Sequence, residues 1–457
     1  MRILNKFLKI FPVAVLLVTL GSCEKDYYYV TPPPKTSVRT SSLEASRVSA
    51  PITSLNDNYW KTADYLLVNS ANVSTNNLYE DGYLNMTASY LGLASFNKGT
   101  DPGLKLKAAY DNENVYILAE WTDYTVNLSN GSWIYRGLGD TLKPSETSAA
   151  WTSQRNGDKL AFAFDLGNAS SPAGSFSSVG CAASCHSNLG SSVMYPSSGK
   201  VDIWNWDLAL SSPLGYAVDM VANTDSLAHD NGNRLYYRNS NGNTGRSGPA
   251  YEWDGSTQTV TLPNGQSSIL DPAFYLFNKT AFIGNIQRGD SIYQSATPPG
   301  DCVSCHGSVG QGGSSSIINT ISQNKKSRAA LMASMDNIAD MAPYWLPLSQ
   351  QDRDDIVAYL RGLSGVPGYY LNTPDGSNAD IKAISNLTPI QVKNAMLPVT
   401  NVHTVYQLLI TRKLNTTNTD DAQFDLTTQR SYTFGVALMD NDGKNHIGSL
   451  KETLIFK

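Results

Sequence analysis

Two short runs in the chain place a pair of thiols directly before a histidine. In Cys302-Val303-Ser304-Cys305-His306, two residues separate the cysteines and His306 follows at once. Thiols at that spacing add to the two vinyl groups of a haem, and the adjacent imidazole then falls under the iron as proximal ligand. A zinc site would need four ligands, and no second Cys pair with a matching His stands nearby. Cys181-Ala182-Ala183-Ser184-Cys185-His186 repeats the logic with three residues between the thiols. The longer spacer must bulge. A redox disulfide is the competing chemistry there, but it has no need of a His after the second Cys.

The remaining cysteine sits in a different setting. Arg2, Lys6 and Lys9 precede an apolar run from Ile10 to Leu20, too short for a comfortable membrane span. Residues 1–22 therefore read as a secretory signal. It closes on Leu20-Gly21-Ser22-Cys23, the pattern of a bacterial lipoprotein signal. The expectation is cleavage before Cys23 and lipidation of its thiol, which anchors a soluble body to a membrane surface. The body would then lie in the bacterial cell envelope, on the periplasmic side or at the outer-membrane surface. All five Cys are thereby assigned, and none is left for a structural disulfide.

The elements that must hold these motifs follow from pattern. At 457 residues the chain is long enough for two or more domains. Its 41% hydrophobic content, with 25 Tyr and 8 Trp, excludes a wholly disordered chain. The single long apolar run excludes a multi-span membrane protein. A net charge of -5, which becomes -8 once Arg2, Lys6 and Lys9 leave with the signal, excludes nucleic acid as the main partner. Residues 23–50, with Tyr27–Tyr29 and Pro32–Pro34, read as an extended tether.

From about residue 51 the pattern is β. Residues 105–110, 115–121, 159–164 and 202–208 predict strands, with Asp111-Asn112 as the turn between the first two. The alternation of Trp204 and Trp206 about Asn205 puts both rings on one strand face, either as core or as the wall of a cofactor pocket. Near residue 272 the period changes. Residues 272–294, 327–338 and 349–363 predict helices, the last with Ser349 as N-cap and stopped by Gly362, Gly365 and Pro367. After residue 377 strands return at 405–410, 431–439 and 452–456, with a turn at 440–443. The expected fold class is mainly β: a β-sandwich over 51–272 and 378–457, with an all-α domain and its return linker inserted over 273–377.

The helical part is similar to the class I cytochromes c over about residues 273–370. The resemblance rests on Arg288-Gly289-Asp290-Ser291-Ile292-Tyr293 ahead of the thiols, on Gly307 after His306, and on Met341-Ala342-Pro343 before the last helix. It implies a helical fold wrapped on one haem with Met341 as distal ligand. Met332 and Met335 compete for that role but sit on a helical face and read as core. A His/Met iron has a raised potential, which suits an electron carrier.

The β part resembles the haem-binding domain of the ethylbenzene dehydrogenase gamma-subunit type. Trp60, Ala109-Tyr110-Asp111, Trp121-Thr122-Asp123, the run Gly180 to His186, Asp202 to Trp206, Arg412-Lys413-Leu414 and Phe434 to Asp440 with His446 carry the likeness. It implies a β-sandwich around one haem, attached covalently in some members. In the gamma subunit itself Lys and Met ligate a non-covalent haem. Many relatives have His and Lys where this chain has Asn205 and Asp207, so the ligand set does not transfer. The distal ligand of the first haem stays open among His446, Met194 and an empty position, with His229 and His403 behind them.

Together these imply a lipid-anchored dihaem c-type cytochrome. It would carry two covalent haem c groups and pass electrons to redox partner proteins in the envelope, with a molybdenum oxidoreductase complex as one such partner. Two other readings compete. A first haem with an open position would make the chain an enzyme acting on peroxide, nitrite or a similar small ligand. A Trp- and Tyr-rich sandwich would alternatively be a carbohydrate-binding module.

Overall fold

The computed structural model describes residues 37–68, 104–123, 126, 130–135, 151–155, 157–166, 175–180, 196, 198–229, 235–240, 248–252, 259–269, 275–276, 280–281, 283–312, 327–371, 380–393, 400–440, 445–449 and 451–457. The strands are β1 (Arg39–Thr40), β2 (Leu43–Arg47), β3 (Tyr65–Val68), β4 (Leu104–Tyr110), β5 (Asn114–Asp123), β6 (Asn130–Tyr135), β7 (Trp151–Arg155) and β8 (Lys159–Asp165). They continue as β9 (Val201–Asp207), β10 (Val218–Ala222), β11 (Leu227–His229), β12 (Tyr236–Arg238), β13 (Tyr251–Glu252), β14 (Thr259–Thr261), β15 (Ser267–Ile269), β16 (Tyr275–Leu276), β17 (Thr280–Ala281) and β18 (Tyr369–Leu371). The last are β19 (Lys382–Lys393), β20 (Thr400–Lys413), β21 (Ser431–Asp440), β22 (Asn445–Gly448) and β23 (Glu452–Phe456).

The chain is mostly β. Among the described residues, fourteen strands form one mixed sheet with the order β11-β10-β9-β8-β21-β23-β2-β4-β5-β20-β19, β1, β3 and β22 branching from it. Alternation explains the strands: β4 and β5 pair antiparallel across the Asp111 turn, whose carboxylate accepts the Glu113 and Asn114 amides at 2.8 and 2.7 Å. Where the sequence predicts a sandwich of two sheets, the strands are hydrogen-bonded into one continuous path. The parallel strand β2, seated between β23 and β4, makes that continuity.

The two halves of the sheet nevertheless share one large apolar cluster. Trp121 of β5 meets Trp206 of β9 edge-on at 5.9 Å and stacks on Tyr406 of β20 at 4.8 Å, although β9 lies far from β5 and β20 in strand order. Trp204 and Trp206 are fully buried there. Each buried aromatic of this size contributes on the order of 2–3 kcal/mol by leaving water.

A cluster of buried charge fastens the same two halves. Arg412 of β20 lies between Asp202 of β9, Asp219 of β10 and Asp421, with N···O distances of 3.2, 3.6 and 2.6 Å. Its guanidinium also rests over the Trp204 ring at 4.9 Å. Asp202 accepts the Ala422 amide at 2.8 Å and the Trp204 indole N–H at 3.1 Å. Burial pushes the Asp202 carboxyl up and Arg412 pulls it back.

The helices lie between β17 and β18 in sequence. The longer ones here are α3 (Ile286–Tyr293), α5 (Arg328–Asp336) and α7 (Gln350–Ser364), with the single turns α4 (Val303–His306) and α6 (Ala342–Trp345) between them; α1 (Tyr59–Thr62) and α2 (Phe176–Val179) are short turns among the strands. Caps set their starts. Ser327 accepts the Ala330 amide, and Ser349 accepts the Asp352 amide at 3.1 Å. The helix predicted over 272–294 begins only at Ile286. Asn285 caps it through the Arg288 amide, and Gly284 just before has φ 104°, so the turn cannot propagate backward. Upstream, β16 and β17 take part of the predicted span, while Phe274, Phe277 and Phe282 lie outside the described residues. Gly362 sits inside α7 rather than ending it; Gly365, at φ 100°, caps the helix.

The crossing of α3 and α7 depends on Gly289. A Cβ there would fall 1.9 Å from the Asp355 carbonyl oxygen, so only glycine permits the contact. The helical core contains Tyr293, Leu331, Met335, Trp345, Ile356 and Leu360, and it also takes in Tyr135 of β6. Backbone bonds between Trp133 and Val366, 2.8 Å in both directions, fix β6 to the end of α7. Among the described residues no helix is long and apolar enough to cross a membrane.

Candidate functional site

One turn of helix presents the thiols and imidazole of the second motif. Cys302 caps α4, and the Cys305 and His306 amides both point back to the Cys302 carbonyl, at 3.3 and 3.0 Å. Positions i, i+3 and i+4 share a helix face, so Cys302, Cys305 and His306 lie side by side. Both cysteines are free thiols; Cys302 is half-buried and Cys305 exposed. Gly307 ends the turn at φ 75°, a backbone state that a side chain would strain.

Cys302 and His306 line a cavity with Tyr293, Met335, Met341, Tyr344, Trp345, Ile356 and Leu360. Met341 reaches it from the short turn Ala339–Met341 that leads into α6. Trp345 is held by its indole N–H, which donates to Asp336 at 2.7 Å. Apart from the Cys302 thiol and the His306 imidazole, the lining is aromatic, aliphatic or thioether. Burial, with a smaller push from the Asp301 charge, raises the Cys302 thiol to about 12. That is the environment of a protonated thiol, not of a thiolate poised for redox exchange.

These residues fit a covalent haem. An imidazole and a thioether on one cavity would serve as a His/Met ligand set, a thiol on the same wall would supply an attachment point, and the apolar lining suits a porphyrin face. Met335 lines the cavity too, beyond the core role that its helical face predicts.

The segment behind His306 is held by a polar network that the sequence motifs do not announce. Tyr293 donates to the Gly307 carbonyl at 2.9 Å and Tyr359 to the Ser308 carbonyl at 3.2 Å. Gln294 Nε2 reaches Ser308 O at 2.6 Å, the Tyr359 hydroxyl at 3.2 Å and Asp290 Oδ1 at 3.3 Å. Asp290 is fully buried. Burial together with that carboxylate pushes the Tyr135 phenol up to about 12 and raises that of Tyr359 as well. The one local signal for this network is the i, i+4 pair Asp290 and Gln294 on α3; Tyr135 comes from a strand far upstream.

The first motif cannot be placed in the same way. Cys23, Cys181, Cys185, His186 and Met194 lie outside the described residues. His446 stands on β22 in register with Met439, and His403 on β20 in register with Ile390; their side chains are likewise outside the description. His229 ends β11, half-buried, opposite Met220. Trp204 and Trp206 belong to the sheet core and not to the cavity around His306. Asp207 is fully buried and organises the chain leaving β9. It accepts the Ala209 and Leu210 amides at 2.9 and 3.1 Å and pairs with Lys159 at 3.3 Å.

A family model described as ethylbenzene dehydrogenase matches residues 57–326, more than half of the chain. The match spans both Cys-His motifs and ends between α4 and α5, before Met341. No curated protein sequence matches the chain.

Proposed function

The chain belongs to the ethylbenzene dehydrogenase family, and from that premise we propose that it is a dihaem c-type cytochrome that carries electrons in the cell envelope. One observation carries the reading: Cys302, His306 and Met341 line a single cavity whose remaining walls are largely apolar. Cys302 and Cys305 would hold the haem, and His306 and Met341 would ligate its iron. When bound, the haem supplies reversible one-electron chemistry. Tyr293, Trp345, Ile356 and Leu360 keep water from the site, and the carbonyl contacts of Tyr293 and Tyr359 fix the backbone that follows His306. The helical segment 273–370 is on this reading a class I cytochrome c domain inserted into the haem-binding β domain.

Cys181, Cys185 and His186 would hold the first haem, with His446 or Met194 as candidates for its remaining position. Cys23 carries the lipid that ties the body to the membrane surface, on the periplasmic side or at the outer membrane. The family supports a haem-binding electron-transfer subunit, and with it a molybdenum oxidoreductase as one partner; other redox proteins of the envelope are the alternative donors or acceptors.

The test is the haem count. The full chain is matured in a host that attaches haem c, then measured by pyridine haemochrome and by mass after denaturation. Two covalent haems per chain are expected. One haem overturns the dihaem reading, and a chain with no covalent haem overturns the cytochrome reading altogether. A mass lacking residues 1–22 and carrying acyl chains on Cys23 is expected from the membrane fraction; an unlipidated soluble product overturns the anchor.

A further inference from the structure

We propose that Asp336 and Arg353 are positioning residues for Met341: they clasp the turn that carries it and keep its thioether on the cavity beside His306. The inference deepens the reading above that Met341 ligates a haem on the Cys302–His306 motif, and rests on it. Met341 stands on little structure of its own. It ends the short turn Ala339–Met341, its amide bonded to the Ile338 carbonyl at 3.0 Å, and the single turn α6 follows. A segment with so few internal bonds keeps its place through what its flanks touch. Three neighbours hold it. Asp336, the last residue of α5, accepts the indole N–H of the buried Trp345 at 2.7 Å. Arg353 of α7 donates to the Leu346 carbonyl at 2.7 Å, lies over the Trp345 ring at 5.4 Å and reaches Asp336 at 3.4 Å. On the thiol side, the Gly300 amide donates to the Tyr344 carbonyl at 3.2 Å.

The contacts differ in weight. The Asp336–Trp345 bond runs from the end of α5 to α6, so it closes a loop across Met341, and Trp345 lines the same cavity. Its acceptor is a carboxylate, which strengthens it. The Leu346 carbonyl lies at the end of α6, where a helix leaves its carbonyls without donors, and Arg353 supplies one. The Arg353–Asp336 pair is the weakest member, because the Asp336 side chain is 46% exposed and water screens it. A thioether is a neutral ligand that a free base can displace from ferric iron. How well Met341 competes depends on its effective concentration at the iron, and the clasp sets that concentration. Asp336 and Arg353 do not line the cavity, so they act on the site only through the turn.

The experiment titrates free imidazole into the full, haem-loaded ferric chain and follows the far-red charge-transfer band of thioether-ligated haem. Met341→Ala comes first. The band it abolishes belongs to this site; if it abolishes none, or if Cys302 and Cys305 carry no haem, the underlying reading fails and the clasp is not at issue. Asp336→Ala is then expected to lower the imidazole concentration that bleaches the band by about tenfold, the order of one lost hydrogen bond to a charged group. Arg353→Met is expected to lower it by less. Asp336→Asn keeps an acceptor for the Trp345 indole and is expected to restore most of the wild-type midpoint. An Asp336→Ala midpoint equal to that of the wild type overturns the proposal. So does an Asp336→Asn midpoint no better than that of Asp336→Ala, since the indole bond is then not what holds the turn. If Asp336→Ala fails to retain haem, Arg353→Met decides alone, and an unmoved midpoint overturns the clasp.

Discussion

Two buried charge sites in this protein are built on opposite plans. Around Arg412, three fully buried carboxylates from β9, β10 and the Asp421 loop converge on one guanidinium. Around Asp290, a carboxylate is met by a carboxamide, and its charge raises the Tyr135 and Tyr359 phenols. The first site clamps the two halves of the sheet, and its charges act on one another. The second stands in the helical core, one turn before Tyr293, which lines the cavity shared by His306 and Met341. At the first site a cation and carboxylates hold one another across the sheet; at the second, neutral donors join one helix to its neighbours.

The largest effect comes from breaking the compensated site. Arg412→Met leaves buried carboxylates without their cation, and loss of one partner of a buried pair costs about 3–5 kcal/mol. Urea or thermal melts of the loaded protein measure this. The deficit is expected to shrink toward acid pH. Burial already raises the Asp202 carboxyl above its ordinary 3.8, and Arg412 opposes the rise. A raised folded value means that stability is fully present below 3.8 and is lost as pH climbs through the folded value. Removing Arg412 moves that folded value further up, so the variant loses more than the wild type across the window. A pH-independent deficit would contradict this account.

A smaller and more local effect isolates the other site. Gly289→Ala sets a Cβ against the Asp355 carbonyl at 1.9 Å, which forces α3 off α7 at a cost of about 3 kcal/mol or more. Since α3 carries Asp290, the haem absorbance is expected to melt at lower temperature while the far-ultraviolet strand signal keeps its wild-type transition. If both transitions fall together, the helical segment and the sheet are one cooperative unit, and the contrast between the two sites is not separable in stability.

How far these sites were legible in the sequence follows the range of their contacts. Alternation marked β4, β5, β8 and β9, helical spacing marked α5, and the Ser349 cap marked α7, because those signals lie within a few residues. The turn Cys302–His306 was legible for the same reason. The helix expected from residue 272 was not, because the spacing of its apolar residues was blind to the break at Gly284 and Asn285. The joining of the strands into one continuous sheet was hidden as well, since it depends on β2 entering between β23 and β4. Asp202 and Arg412 each stood in a motif, yet nothing local joins residues so far apart. Tyr135 and Asp290 are likewise brought together only when β6 is bonded beyond α7, and no periodicity carries that information.

The smallest effect supplies the control. Lys105 and Glu120 face each other across β4 and β5 at 3.5 Å, with side chains about a quarter to a third exposed. Water and salt screen this pair, and cross-strand pairs of its kind contribute roughly 0.2–1 kcal/mol. Lys105 also lies over the Tyr65 ring at 4.9 Å, so Lys105→Ala removes both contacts. The expected loss is near 0.5 kcal/mol and falls further in 1 M salt, where the screening length drops to about 3 Å. The same salt should leave the Arg412→Met deficit nearly unchanged, because ions do not enter a site whose Arg, Asp202 and Asp421 side chains have no accessible surface. If salt instead reduced both losses in proportion, the Arg412 cluster would be in contact with solvent, and burial could no longer explain why its charges act on one another rather than on the surroundings.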